Sequence, residues 1–356
     1  MIITGENGEN IIALIFSNCK VDQNRYFIDA KRKSIYGKET ITSVIICKDN
    51  QTITFPYGTP VYLDEQGNTF FRIYYGVKEL IMIDVTEKMK KVDDVYFIPS
   101  NDHKRPIIFG QDPIFGTKKS VYFVYPDGKM KEFSAETPII FNDKGDVLTP
   151  IPNVNNCSFC ISHYNENLSW IQNLRNHGFQ KIFIGSKTLA PIYISKNVGQ
   201  EASIYLKYIV DNYNSLDEFT VFLHGHEHAW HQSKDIVSLI LDAMQEMNAQ
   251  QVFLKSLNNY YCGSILGNEW INEIKEWYNQ YLKKELGPID RHGDWTVGMP
   301  GCAQFIVHKS LIRLRSLEFY KNLLDWILET PIISFKTSRF MEWSWELFWE
   351  ERGNFY

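Results

Sequence analysis

Four of the chain's nine histidines crowd into one stretch, at positions 224, 226, 228 and 231. The segment reads Thr220-Val221-Phe222-Leu223-His224-Gly225-His226-Glu227-His228-Ala229-Trp230-His231, an apolar run of strand character ending abruptly in imidazoles. Histidine is the commonest metal ligand and the side chain whose charge changes nearest neutral pH, so the cluster is a candidate active site. If the chain stays extended past Leu223, then His224, His226 and His228 project to one side and converge on a metal, with Glu227 turned away. If it curls into a helix after Gly225, His224 and His228 pair at i, i+4, or His228 and His231 at i, i+3. Either geometry suits Zn²⁺ or Mn²⁺. The structural alternative is that these histidines cap loops and bond to their neighbours.

Other groups could share that chemistry. His163-Tyr164-Asn165-Glu166 follows an apolar run and precedes a helical pattern, a position where backbone amides and short polar side chains grip a nucleotide or phosphate. Asn165 or Asn167 is equally a helix cap there. Asn197-Val198-Gly199-Gln200-Glu201 has the same form and reads either as a cap or as a ligand clamp. Glu342 and Glu346 stand one helical turn apart among large aromatics, either as a general base or as surface acids. Cys157 and Cys160 have half a zinc-knuckle spacing without a second pair, and read as strand packing. No Gly-x-Ser-x-Gly elbow and no P-loop is present, which sets those classes aside.

The elements that must position these groups alternate. Residues 157–162 read as a buried strand, 167–174 as the start of a helix, 181–184 as a strand, about 201–213 as a helix and 219–223 as a third strand. Helices follow at 235–247 and 268–286, a strand at 303–307, and an amphipathic helix at 316–328 whose Leu317, Tyr320, Leu324 and Ile327 belong to the core. Such alternation predicts an α/β domain over 153–356, with a mostly parallel, Rossmann-type sheet and helices on both faces. Ligands bind beyond the carboxyl ends of such strands, which selects the 163–166 loop and the histidine cluster.

Residues 1–152 differ. Short runs separated by Asp, Asn and Gly turns predict an all-β domain of hairpins, with a short helix at 85–92. Segments 34–68 and 113–146 repeat one another. Phe55, Thr59, Pro60 and Gly67 fall on Phe133, Thr137, Pro138 and Gly145 at a constant offset of 78, which predicts an internal duplication packed as a sandwich or barrel. Its acids sit mainly in turns, so this half either binds an acceptor or partner or supports the other half.

With 44% apolar and 22% charged residues the chain is that of a globular protein, and its net charge of −5 argues against binding nucleic acid by neutralising phosphates. The start of the chain lacks a signal-peptide pattern, no apolar run reaches the ~20 residues of a membrane span, and six scattered cysteines suit reduced thiols, so a cytoplasmic protein is expected.

Taken together, Ser162 to Trp170, Asn197 to Ala202, Val221 to His226 with Trp230, His231 and Asp235, Cys302 to Val307 with Tyr320, and Glu342 with Trp345 resemble a widespread family of domains of unknown function that look like glycosyltransferases. The resemblance covers about residues 155–350 and leaves the β half unexplained. That family is in turn similar to the GT-A fold of nucleotide-sugar transferases, where a later strand ends in Asp-x-Asp holding a divalent metal against the diphosphate. Here that position reads His224-Gly225-His226, so imidazoles replace carboxylates and Mn²⁺ or Zn²⁺ replaces Mg²⁺ as the expected ion, with metal independence left open.

The resemblance implies a transferase moving a sugar from a UDP- or GDP-linked donor to a hydroxyl of a glycan or protein acceptor. It implies substrate contacts at His163, Tyr164, Asn165, Glu166, Asn197, Gly199, Trp230, Asp235 and Gln304, and metal or diphosphate contacts at His224, His226 and His228. Glu342 is the expected base, with His231 or Asp294 in reserve. Two other classes remain. A metal-dependent hydrolase would use the same histidines to activate water, although His228 and Ala229 stand where a His-x-His-x-Asp-His pattern has Asp and His. The other is a catalytically inactive carbohydrate- or nucleotide-binding module.

Overall fold

The computed structural model describes the backbone of seven strands before residue 71, then residues 71–349 apart from 79, 90, 93–94, 100–101, 103–104, 126–128, 136, 150, 187–191, 194–196, 251, 259–260, 263–268, 288–298 and 301–302. It divides into two compact units, Met1–Leu148 and Thr149–Tyr356.

The first unit is built from antiparallel sheets. Strands Ile3–Thr4, Asn10–Ala13, Thr42–Ile46 and Thr52–Pro56 lie side by side in that order, and Cys19–Asp22, Arg25–Ile28 and Val61–Leu63 form a second sheet. A related pair of sheets recurs further on, with the first two strands of the first sheet exchanged and a fourth strand added to the second. Ile81–Asp84, Arg72–Val77, Ser120–Val124 and Met130–Phe133 make one sheet, and Lys91–Val92, Val95–Ile98, Ile139–Phe141 and Val147–Leu148 the other. Where the sequence predicts a short helix at 85–92, the chain makes a single 3₁₀ turn at Thr86–Lys88, and a five-residue helix forms at Arg105–Phe109. Phe123 centres the aromatic core of the second set, with ring centroids 4.8 Å from Phe141, 4.9 Å from Phe133 and 5.2 Å from Phe71.

The second unit is a six-stranded mixed sheet with helices. In chain order its elements are β1 (Cys157–His163), α1 (Ile171–Asn176), β2 (Ile182–Ser186), β3 (Ile192–Tyr193), α2 (Gln200–Asn212), β4 (Phe219–His224), α3 (Ile236–Gln250), β5 (Leu254–Ser256), α4 (Ile271–Trp277), β6 (Phe305–His308), α5 (Lys309–Ile312), α6 (Leu317–Glu329), α7 (Ser334–Glu342) and α8 (Trp345–Trp349). The strand order is β3-β2-β1-β4-β6-β5. The first four run parallel, and β6 is antiparallel to both β4 and β5.

Burial on both faces explains the unbroken apolar runs of β1 and β4. Cys157, Phe159, Ile161, Val221 and Leu223 share one core with Trp170, Leu174 and the Ile236, Ile240 and Met247 stripe of α3. The alternate residues face α2 instead: the Ser158 and Tyr208 hydroxyls are 2.8 Å apart, and Tyr205 packs 4.9 Å from Phe222. Phe222 also stacks on Trp349 of α8. The two cysteines of β1 are buried free thiols within this packing. Among the described residues, no helix is long and apolar enough to cross a membrane.

One histidine outside the cluster serves the fold. His308 ends β6 and caps α5, its Nδ1 accepting from the Ser310 backbone N–H at 3.2 Å, and burial pushes its pKa down to about 3. An unfolded histidine takes up its proton near pH 6.5, so between that value and about pH 3 the unfolded chain binds more protons. Stability from this group is therefore complete above pH ~6.5 and is lost as the pH falls. His308→Asn keeps a cap acceptor but cannot titrate. Its unfolding free energy, measured in urea at about pH 7 and about pH 5, is expected to fall less steeply than that of the wild type.

Candidate functional site

The carboxyl ends of β1 and β4 adjoin, with Ser162 paired to His224, so the loops that leave them share one wall. Beyond those ends lies a cleft of about 520 Å³. It brings together the loop after β1, the start of α2, the turn after β4 and the end of α7.

Neither local geometry allowed by the sequence holds the histidines. The strand stops at His224, and residues 225–235 form bends and turns, not an extended run and not a helix. His224, His226, His228 and His231 nonetheless all line the cleft. Among the described residues, no three of His, Cys, Asp and Glu are grouped as they would be around a metal ion.

Glu166 fixes the two loops. One of its oxygens, Oε2, accepts from the backbone N–H groups of Tyr164 at 2.7 Å and Asn165 at 3.1 Å. The other, Oε1, stands 3.7 Å from His226 Nε2. Glycine at 225 suits this approach: a Cβ there would lie 2.8 Å from Glu166 Oε2 and 3.0 Å from its Cδ, so the tethered carboxylate would have to shift. On its other side the Gly225 carbonyl accepts from the buried indole N–H of Trp170 at 2.9 Å. His163 closes the β1 loop, its Nε2 lying 3.2 Å from the Glu166 carbonyl.

Two of the four imidazoles are held neutral. Burial, reinforced by His231, His226 and Arg339, pushes the His224 pKa down to about 3, and burial also lowers that of His231 against the opposing pull of Asn258 and Glu342. Their rings meet edge to face at 5.6 Å. His224 Nε2 and His231 Nδ1 are buried without a hydrogen-bond partner, so each is uncommitted. His226 and His228 are exposed.

The remaining candidates divide. Tyr164 and Trp230 are exposed aromatics in the cleft, Trp230 being 74% exposed, and Asn197 lines it as well. Gly199 is buried behind it with a left-handed φ of +66°, and a Cβ there would stand 2.2 Å from Ile327 Cδ1, so its role is to let α2 start against α6. Gln200, next to it and in the cleft, also has a left-handed φ, of +46°.

Asp235 and Gln304 are absent from the lining. Asp235 caps α3, its Oδ1 accepting from the Ser238 N–H at 2.9 Å, and hydrogen bonds from the Ser238 side chain and then its backbone lower its pKa. Gln304 is buried and acts on the backbone: its Oε1 accepts from the His224 N–H at 3.1 Å and its Nε2 donates to Asn258. Glu342 is buried in the cleft wall and pairs with Arg339 one turn earlier on α7. Asp294 lies outside the described residues, as does the Glu346 side chain.

Arg339 is a cleft residue that the motifs do not single out, whereas Glu201 enters only as the last residue of the 197–201 segment. The one available signal for Arg339 is its i, i+3 spacing before Glu342. Among the described residues the lining carries three carboxylates, Glu166, Glu201 and Glu342, against the single guanidinium of Arg339.

The Gly225 contact is directly testable. Gly225→Ala is expected to cost about 1–3 kcal/mol in chemical denaturation, as overpacking does. Glu166→Ala in the same chain should recover part of that loss, giving a non-additive double-mutant cycle.

No curated protein and no solved structure matches this chain. A family model described as "Protein of unknown function (DUF3431)" matches residues 160–355, which include every described wall of the cleft. That match takes in more than half of the chain, and the protein belongs to the DUF3431 family.

Proposed function

We propose that the protein is a glycosyltransferase that binds a nucleotide-sugar donor across the carboxyl edge of the second unit's sheet, a GT-A-like arrangement. The observation that carries this reading is the cleft itself. Four segments separated by up to 180 residues of sequence, at 163–166, 197–201, 224–231 and 339–342, meet where mostly parallel sheets bind their ligands. The sequence pattern singles out three of these segments and the acid of the fourth.

In this reading the 163–166 loop meets the base or ribose, and His224 and His226 face the diphosphate. Glu342 accepts the proton of an acceptor hydroxyl, whose oxygen attacks the anomeric carbon while the bond to the diphosphate breaks and its electron pair leaves with the phosphate oxygen. Attack from the face opposite the leaving group inverts the anomeric centre. The Arg339 guanidinium orients the Glu342 carboxylate by pairing with it. His231, neutral and with Nδ1 uncommitted, is the second proton acceptor within the cleft. A bound divalent ion would supply Lewis-acid stabilisation of the departing diphosphate, and the imidazole and carboxylate donors of the cleft suit Mn²⁺ or Zn²⁺.

Calorimetric titration with UDP- and GDP-linked sugars, with and without Mn²⁺, should show saturable binding of one of them. Glu342→Gln should bind that donor within about twofold of wild type while release of free nucleoside diphosphate slows by about two to four orders of magnitude. Unchanged turnover would remove Glu342 from the mechanism, and the absence of any donor binding would remove the transferase reading.

A further inference from the structure

We infer that the divalent-cation site of the cleft is formed by Glu166 together with His226, and not by a triad of His224, His226 and His228. Three observations lead there. The first is spacing. Glu166 Oε1 and His226 Nε2 face each other at 3.7 Å, beyond hydrogen-bond length. Two donors each roughly 2.1 Å from one ion stand roughly 3–3.6 Å apart, so the pair needs to close by only a few tenths of an ångström.

The second is preparation of the ligand. Glu166 Oε2 is engaged by two backbone N–H groups, which fixes the carboxylate plane and leaves Oε1 to point at the imidazole. Gly225 lets the carboxylate lie against the turn that carries His226. Orientation of a first-sphere oxygen by hydrogen bonds to its partner is how metal sites are tuned.

The third is charge. Among the described residues the cleft has three carboxylates and one guanidinium, and that guanidinium is paired with Glu342. No second guanidinium and no ammonium group among the described lining residues offsets the excess. A doubly charged cation on Glu166 and His226 would, and it would make the site receptive to a diphosphate. This third argument rests on the transferase reading; the first two do not.

A mixed imidazole and carboxylate pair favours Mn²⁺ or Zn²⁺, with the other coordination positions left to water or phosphate oxygens. His224 lines the same cleft, but its Nε2 is buried, so it is not counted among the ligands.

The test is titration of the full chain with Mn²⁺ alone, followed by the loss of the aquo-ion signal in electron paramagnetic resonance, and with Zn²⁺ alone against a chromogenic chelator. Glu166→Gln and His226→Ala should each weaken binding about tenfold or more, and His228→Ala should leave it within about twofold. Gln keeps an oxygen for the two backbone N–H groups, and His226 is exposed, so both variants should melt near the wild-type temperature. Equal affinity in wild type and both variants overturns the site, as does the failure of wild type to bind either ion at millimolar concentration. A nucleotide sugar that binds equally well in EDTA and to Glu166→Gln overturns the site while the transferase reading stands. Metal binding that follows the expected pattern, with no nucleotide sugar bound, supports the site and removes that reading.

Discussion

The contact between Glu166 and Gly225 is the constraint on which the cleft depends. Parallel pairing of β1 and β4 puts their last residues side by side, but the loops beyond carry no ladder of their own. Glu166 supplies the missing tie by satisfying two amides of its own loop and resting against Gly225 of the next. The turn is held from its other side by Trp170, whose indole donates to the Gly225 carbonyl from within the apolar core. The carboxylate is held here through Oε2, which accepts two backbone N–H bonds, and glycine at 225 lets it lie against the turn without a shift.

The same arrangement explains how the electrostatics of the cleft are set. His224 emerges directly from a strand buried on both faces, so its ring is desolvated before any ligand arrives, and Gln304 holds its backbone N–H from beneath. His231 turns back into the same buried wall, whereas His226 and His228, on the outer curve of the turn, stay in contact with solvent. One sequence motif thus yields two chemically different pairs. The inner pair is neutral, and the outer pair is accessible.

Much of this was legible in the residues, and the illegible part has physical causes. The apolar runs at 157–161 and 219–223 announce strands buried on both faces, and a helical pattern between them implies parallel pairing. The cleft follows from those two facts and the rule that ligands sit at carboxyl ends. The histidine geometry does not follow, because periodicity offers only extended or helical alternatives and residues 225–235 take neither. Asp235 and Gln304 belong to the pattern of the site through what they hold: one caps the helix after the histidines, and the other anchors the strand before them. Arg339 was missed because a lone arginine in a helix has no signature until the turn of α7 sets it beside Glu342.

The unsatisfied groups sharpen the distinction between what stabilises the unit and what serves the site. Buried polar atoms without partners cost about 1–3 kcal/mol each, so a fold keeps few of them. The Tyr205 hydroxyl and the Trp345 indole sit within the aromatic packing of α2 and α8, where the large buried rings offset the loss. His224 Nε2 and His231 Nδ1 have no such compensation in apolar area, since an imidazole buries little of it. Both residues line the cleft, although these nitrogens are themselves buried. The orphaned nitrogens thus set these two histidines apart from the polar atoms buried in the aromatic packing.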